Sequence, residues 1–127
     1  MDFELYKSLI GVPYRENGRD RSGFDCYGLV LFLGKANGLD MPESLYLEER
    51  ADRHGLFEDN VSWFECVDTP QFGDLATFRH GKFVTHVGMM IDRFRFIHAT
   101  KPSGTVISSL DSLLYKNKLE GFYRWKN

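Results

Sequence analysis

The chain has 127 residues, a net charge of −2 and 43% hydrophobic residues. That length suits one domain, 1–127, with a core large enough to fold without a disulfide or a structural metal. Acidic and basic residues are interspersed, which excludes a broad nucleic-acid face, and no apolar run approaches the roughly 18 residues of a membrane span.

Residues 2–10 alternate charges with Phe3, Leu5, Tyr6, Leu9 and Ile10, a short amphipathic helix that Gly11-Val12-Pro13-Tyr14 stops. Residues 15–23 read as a polar loop. The strongest helix covers 25–37: Leu29 to Leu33 are apolar around most of the circumference, Asp25 is the N-cap and Gly38 the stop. Glu43 to His54 carries a weak signal for a surface helix. Strands follow at Leu75–Phe78, Phe83–Ile91, Phe94–Ala99 and Thr105–Ser108. A helix is expected over 110–119 and a last strand at Phe122–Trp125. Helices first and an antiparallel sheet after is an α+β pattern.

Cys26 begins the long helix, where free backbone N–H groups and the positive end of the dipole favour thiolate. A thiolate is a nucleophile and needs a base. Cys66, in Trp63-Phe64-Glu65-Cys66-Val67, reads as a small buried hydrophobe, and a disulfide between the two is not expected. Of four histidines, His54 and His80 precede glycines and read as exposed loop residues. His86 and His98 lie in successive strands among apolar neighbours. A two-residue turn at Asp92-Arg93 would set Val87 against His98 and turn His86 to the other face. A three-residue turn at Ile91-Asp92-Arg93, or a bulge, would pair His86 with His98 on one face. The dipeptide lacks the glycine that a primed two-residue turn prefers, which favours the longer turn. If the Cys26 helix packs on that face, thiol, base and orienter stand in series.

Five segments in chain order carry a resemblance: Gly11-Val12-Pro13-Tyr14, Gly23-Phe24-Asp25-Cys26-Tyr27-Gly28-Leu29-Val30, Phe72-Gly73-Asp74-Leu75, His86-Val87-Gly88 and Phe96-Ile97-His98-Ala99. Together they resemble the NlpC-type cell-wall peptidases, papain-like cysteine peptidases acting on peptidoglycan stem peptides. The resemblance implies a central nucleophile-bearing helix packed on a C-terminal antiparallel sheet. It implies Cys26 as nucleophile, His86 as general base and acid, and His98 as the group orienting the His86 ring. The Cys26 backbone N–H would help bind the oxyanion. The reaction implied is amide hydrolysis through a thioester, usually at a γ-D-glutamyl–diamino acid bond, with no metal or organic cofactor.

Tyr14 resembles a tyrosine lining the site, and packing beside Pro13 is its alternative. Asp25 either only caps the helix or also binds the substrate's amine. Tyr27 stands where the family usually has Ser, beside the thiol, which bears on the substrate. An aromatic there resembles a subset found among phage tail proteins. That implies a tail component nicking the wall, with tail proteins as further partners. The opening Met1-Asp2-Phe3-Glu4 lacks a secretory signal, so the expectation is synthesis in the cytoplasm and delivery to the virion tail or cell wall by another route. Two other functions fit the same residues. One is an assembly protein retaining the fold; the other is an amidase or acyltransferase on another amide or ester. A narrow apolar groove would favour the latter, and a polar groove with an acidic end near Tyr14 a stem peptide.

Overall fold

A computed structural model describes residues 3–39, 64–81 and 83–126. The α+β arrangement expected from the sequence is present. Helix α1 spans Phe3–Leu9 and α2 spans Cys26–Ala36; between them strands β1 (Arg19–Asp20) and β2 (Gly23–Phe24) form a small hairpin. The expected polar loop therefore contains paired backbone, turned at Arg21-Ser22 and tied by the Ser22 N–H and hydroxyl to Asp20 Oδ1. The segment Glu43–His54 lies outside the described residues.

Strands β3 (Phe64–Val67), β4 (Leu75–His80), β5 (Phe83–Met90), β6 (Arg95–Thr100), β7 (Gly104–Ser109) and β8 (Leu119–Trp125) form one antiparallel sheet in the order β3-β8-β4-β5-β6-β7. Both helices bury apolar residues against one face: Tyr6, Leu9, Leu29, Val30 and Leu33 meet Leu75, Val87, Met89, Ile97 and Ala99. The helix runs apolar nearly all round because the hairpin and the sheet cover it from several sides. Asn37 ends it and Gly38 follows at φ 77°, the left-handed conformation that suits glycine. The opposite face carries a smaller cluster, Ala76, Phe78, Met90 and Phe96, covered by Leu110, Tyr115, Leu119 and Phe122.

The structure corrects three expectations. Residues 110–118 form successive turns rather than a helix, held by Tyr115 and Lys116 N–H groups donating to Ser112 O and by Lys118 N–H donating to Tyr115 O. Leu113 and Leu114 point to solvent, 95% and 67% exposed, while Tyr115 turns onto the sheet. Cys66 is exposed, because β3 is an edge strand paired only with β8. Desolvation and the charges of Glu120 and Asp68 push its thiol pKa up, which keeps it protonated. Third, β5 and β6 pair as Met89↔Ile97 and Met90↔Phe96, closed by the Ile91 N–H donating to Arg95 O around Asp92-Arg93-Phe94. This register sets Gly88, not His86, against His98. It differs by two residues from the favoured pairing, and a shift of two keeps every side chain on its face.

Asp74, just before β4, is buried and accepts from Arg124 Nη2 at 2.8 Å and Nε at 3.0 Å. That pair ties the end of β8 to the start of β4.

Candidate active site

Three groups converge on Asp25. The Gly28 N–H donates to its Oδ1 at 2.7 Å, Arg19 Nη1 donates to the same oxygen at 2.8 Å, and the Asn17 N–H donates to Oδ2 at 3.0 Å. The carboxylate therefore caps α2 as the sequence indicates and also gathers the preceding loop around the helix start. Gly28 permits this closeness, since a Cβ there would drive into the Gly18 carbonyl. Cys26 is the first residue of α2 and is partly buried.

His86 and His98 share the sheet face that points away from the body of α2. They are diagonal neighbours on β5 and β6, near enough for long side chains to meet. His86 Nε2 lies 2.8 Å from His98 Nδ1. The residue opposite His98 is Gly88, and a Cβ there would come within 3.2 Å of His98 Cβ and 2.9 Å of Phe96 Cδ2. The missing side chain leaves room for Phe96 and for the base of the His98 side chain. His98 is fully buried, and its Nε2 lies 2.8 Å from Ser108 Oγ. Phe78, Phe96 and Tyr115 surround the pair. Burial lowers the His86 pKa to about 4, and burial with the His86 charge lowers that of His98 to about 3. Both imidazoles are neutral at neutral pH. If His86 carries its proton on Nε2 and donates to His98 Nδ1, His98 donates from Nε2 to Ser108, and His86 Nδ1 is left as an acceptor.

The thiol reaches the histidines by an indirect route. Helix α2 packs on the opposite face, so the expectation of one shared face is corrected. Beyond Met89↔Ile97 the two strands have no ladder partners in one another, and a cavity of about 300 Å³ opens between their ends. Cys26, His86, Tyr14, Thr85, Ala99, Thr100, Lys101 and Tyr115 line it. The helix N-terminus and His86 come together at this opening rather than across the sheet. Tyr14 is placed here as the sequence suggested. Asp25 and Tyr27 are not among the lining residues. Tyr27 is 6% exposed and belongs to the helix-side core, with its ring beneath Arg19. His80 is exposed at the end of β4, and His54 lies outside the described residues.

Ser108 and Tyr115 were missed from sequence. Ser108 opposes Phe96 on β7, two residues from the Val106 that opposes His98, so the strand expected at Thr105–Ser108 contained the signal once its register was known. Among the described residues no group of three or more His, Cys, Asp or Glu is placed to hold a metal ion.

Comparison with known proteins places the fold in a family. The family model described as the NlpC/P60 family matches residues 11–124. A murein DD-endopeptidase/murein LD-carboxypeptidase, MepS, of Escherichia coli K12 is 32% identical over 116 residues, which are 91% of this chain and 56% of that protein. A γ-DL-glutamyl hydrolase of Bacillus subtilis is 30% identical over 127 residues, covering 95% of this chain and 28% of its own length. The crystal structure of an NlpC/P60 family protein from Bacillus cereus superposes with a TM-score of 0.76 at 25% identity, over 98% of this chain and 39% of that one. The chain thus spans little more than half of the E. coli relative and less of the others. None of these relatives lends support to the tail-associated expectation.

Proposed function

The chain belongs to the NlpC/P60 family, and from that membership we propose that it is a cysteine endopeptidase that hydrolyses an amide of the peptidoglycan stem peptide. The observation that carries the reading is the series Cys26, His86, His98. A helix-terminal thiol shares a cavity with an imidazole, and that imidazole is held at 2.8 Å by a second, buried one.

Cys26 gives its proton to His86 Nδ1, and the thiolate sulfur attacks the amide carbonyl carbon. The oxyanion forms beside the backbone N–H at the start of α2. As the tetrahedral adduct collapses, the C–N bond breaks and His86 returns the proton to the leaving amine. A thioester remains. Water enters, gives a proton to His86 and attacks the same carbon; the C–S bond breaks, releasing a carboxylic acid and the thiol. His98 keeps the His86 ring oriented and bears part of its transient charge, as its neutral Nδ1 accepts from Nε2–H.

The bond we assign is γ-D-glutamyl–diamino acid. The B. subtilis relative's name supports a γ-glutamyl bond, while the E. coli relative's name specifies DD and LD bonds for that protein. Digestion of purified sacculi by wild type and Cys26→Ala, with products read by mass spectrometry, tests both levels. Wild type is expected to release peptides ending in γ-D-glutamate, and Cys26→Ala to lose about 10⁴-fold or more of that rate. Sacculi and free stem peptides that both survive folded wild-type protein would sink the reading.

A further inference from the structure

Among the described residues lining the Cys26 cavity there is no carboxylate, and Lys101 is the one side chain charged at neutral pH. An acidic end near Tyr14, which would bind a substrate amine, is not seen there. The Lys101 ammonium is exposed and makes no hydrogen bond or ion pair with another described residue. Its backbone, by contrast, is well tied down. Lys101 opens the turn that joins β6 to β7, immediately after the Thr100↔Gly104 pair that ends a six-pair ladder. The turn end of that hairpin is stitched to the segment bearing Tyr14: the Gly11 N–H donates to Thr105 O at 2.9 Å, and the Thr105 N–H donates to Val12 O at 2.8 Å. A cation is thus carried on a fixed rim of the cavity with nothing of the described chain to neutralise it.

We infer that Lys101 receives a free carboxylate of the substrate close to the scissile carbonyl, so that the site prefers carboxylate-bearing stem peptides to their carboxamides. This rests on the peptidase reading and deepens it. A γ-linked glutamate leaves its α-carboxylate unbonded a few atoms from the carbonyl that Cys26 attacks. A lysine serves such a group as a mobile point charge, whereas an uncharged carboxamide offers it only a neutral acceptor.

The test uses two pools of matched muropeptides, one with the D-glutamate α-carboxylate free and one with it amidated. They are cleaved by wild type, Lys101→Met and Lys101→Arg under steady-state conditions. The expected result is a wild-type kcat/KM ratio, carboxylate over carboxamide, of about tenfold, expressed mainly in KM. Lys101→Met should bring that ratio near one, and Lys101→Arg should restore most of it. A wild-type ratio near one overturns the assignment. So does a ratio that Lys101→Met leaves unaltered, which would mean the lysine acts on the thiol or on the fold and not on the substrate. No product from either pool with folded wild-type protein overturns the peptidase reading itself, and the Lys101 assignment with it.

Discussion

On the face of the sheet that meets α2, Leu75, Val87, Met89, Ile97 and Ala99 pack against aliphatic and aromatic side chains from both helices. On the other face the cluster is smaller and half aromatic, and its aromatic rings surround a polar line of His86, His98 and Ser108. The first face is built mainly by burial, with the Tyr6 hydroxyl donating to Met89 Sδ as a buried polar contact. The second must satisfy each ring nitrogen, because a buried imidazole without a partner is costly. Cys26 rides on the first and His86 on the second, and they meet only at the strand ends. Stability and catalysis are therefore separable by face.

The sharpest way to break that division is to disturb each face once. Leu33→Ala empties part of the helix-side core and should cost about 2–5 kcal/mol of stability, with kcat/KM of the folded protein within a few-fold of wild type. Gly88→Ala should cost less stability, about 1–3 kcal/mol, because the new methyl presses on Phe96 Cδ2 at 2.9 Å and His98 Cβ at 3.2 Å. It should nevertheless lose about 10²-fold in kcat, since the His86–His98 geometry must shift to admit it. Denaturant melts paired with single-turnover rates check both. Equal losses of rate from the two variants would mean that the faces are not independent.

A second effect, intermediate in size, concerns pH. In the folded protein the pKa values of His86 and His98 lie near 4 and 3, below the ordinary 6.5. The unfolded chain therefore binds protons that the native state refuses as pH falls below 6.5. Stability present above that pH is lost progressively as pH falls towards 4. Melting temperatures between pH 7 and 4.5 should fall with pH, and His98→Gln should flatten the slope. A wild-type slope no steeper than that of the variant would refute burial of a neutral pair. Carboxylates such as Asp92, held low by the N–H groups of Phe94 and Arg95, act in the same direction below about pH 5, so the comparison with His98→Gln isolates the histidine part.

What could be read from sequence follows the same division. The helix-side face is written in local terms: the apolar run Leu29–Leu33, the Asp25 cap and the Gly38 stop describe α2 almost to the residue. The histidine face depends on register. That His86 and His98 share a face was legible because a two-residue slip preserves parity; which residue opposes His98 was not, since Ile91 and Arg95 close the turn one residue later than the favoured turn. Tyr115 was hidden for another reason. The spacing of Leu110, Leu113 and Leu114 mimics a helix, and nothing local reports that Tyr115 folds back over the imidazoles. Tyr27 adjoins Cys26 in sequence, but the next helical position is rotated about 100°, and its ring packs into the core.

Ser108 gives the smallest and most specific effect. Its hydroxyl lies 2.8 Å from His98 Nε2, where it can accept from that N–H in the tautomer whose Nδ1 accepts from His86. Ser108→Ala leaves that N–H unpaired in a fully buried site, which favours moving the His98 proton to Nδ1. The ring would then donate to His86 Nε2 and leave the His86 proton on Nδ1, facing the wrong way to receive one from Cys26. The expected outcome is a loss of roughly tenfold in kcat with KM little changed, and about 1–2 kcal/mol of stability. Ser108→Thr, which keeps the hydroxyl, should restore the rate. A purely structural role would lower stability without this split between kcat and KM, and full activity in Ser108→Ala would show that His98 holds its tautomer unaided.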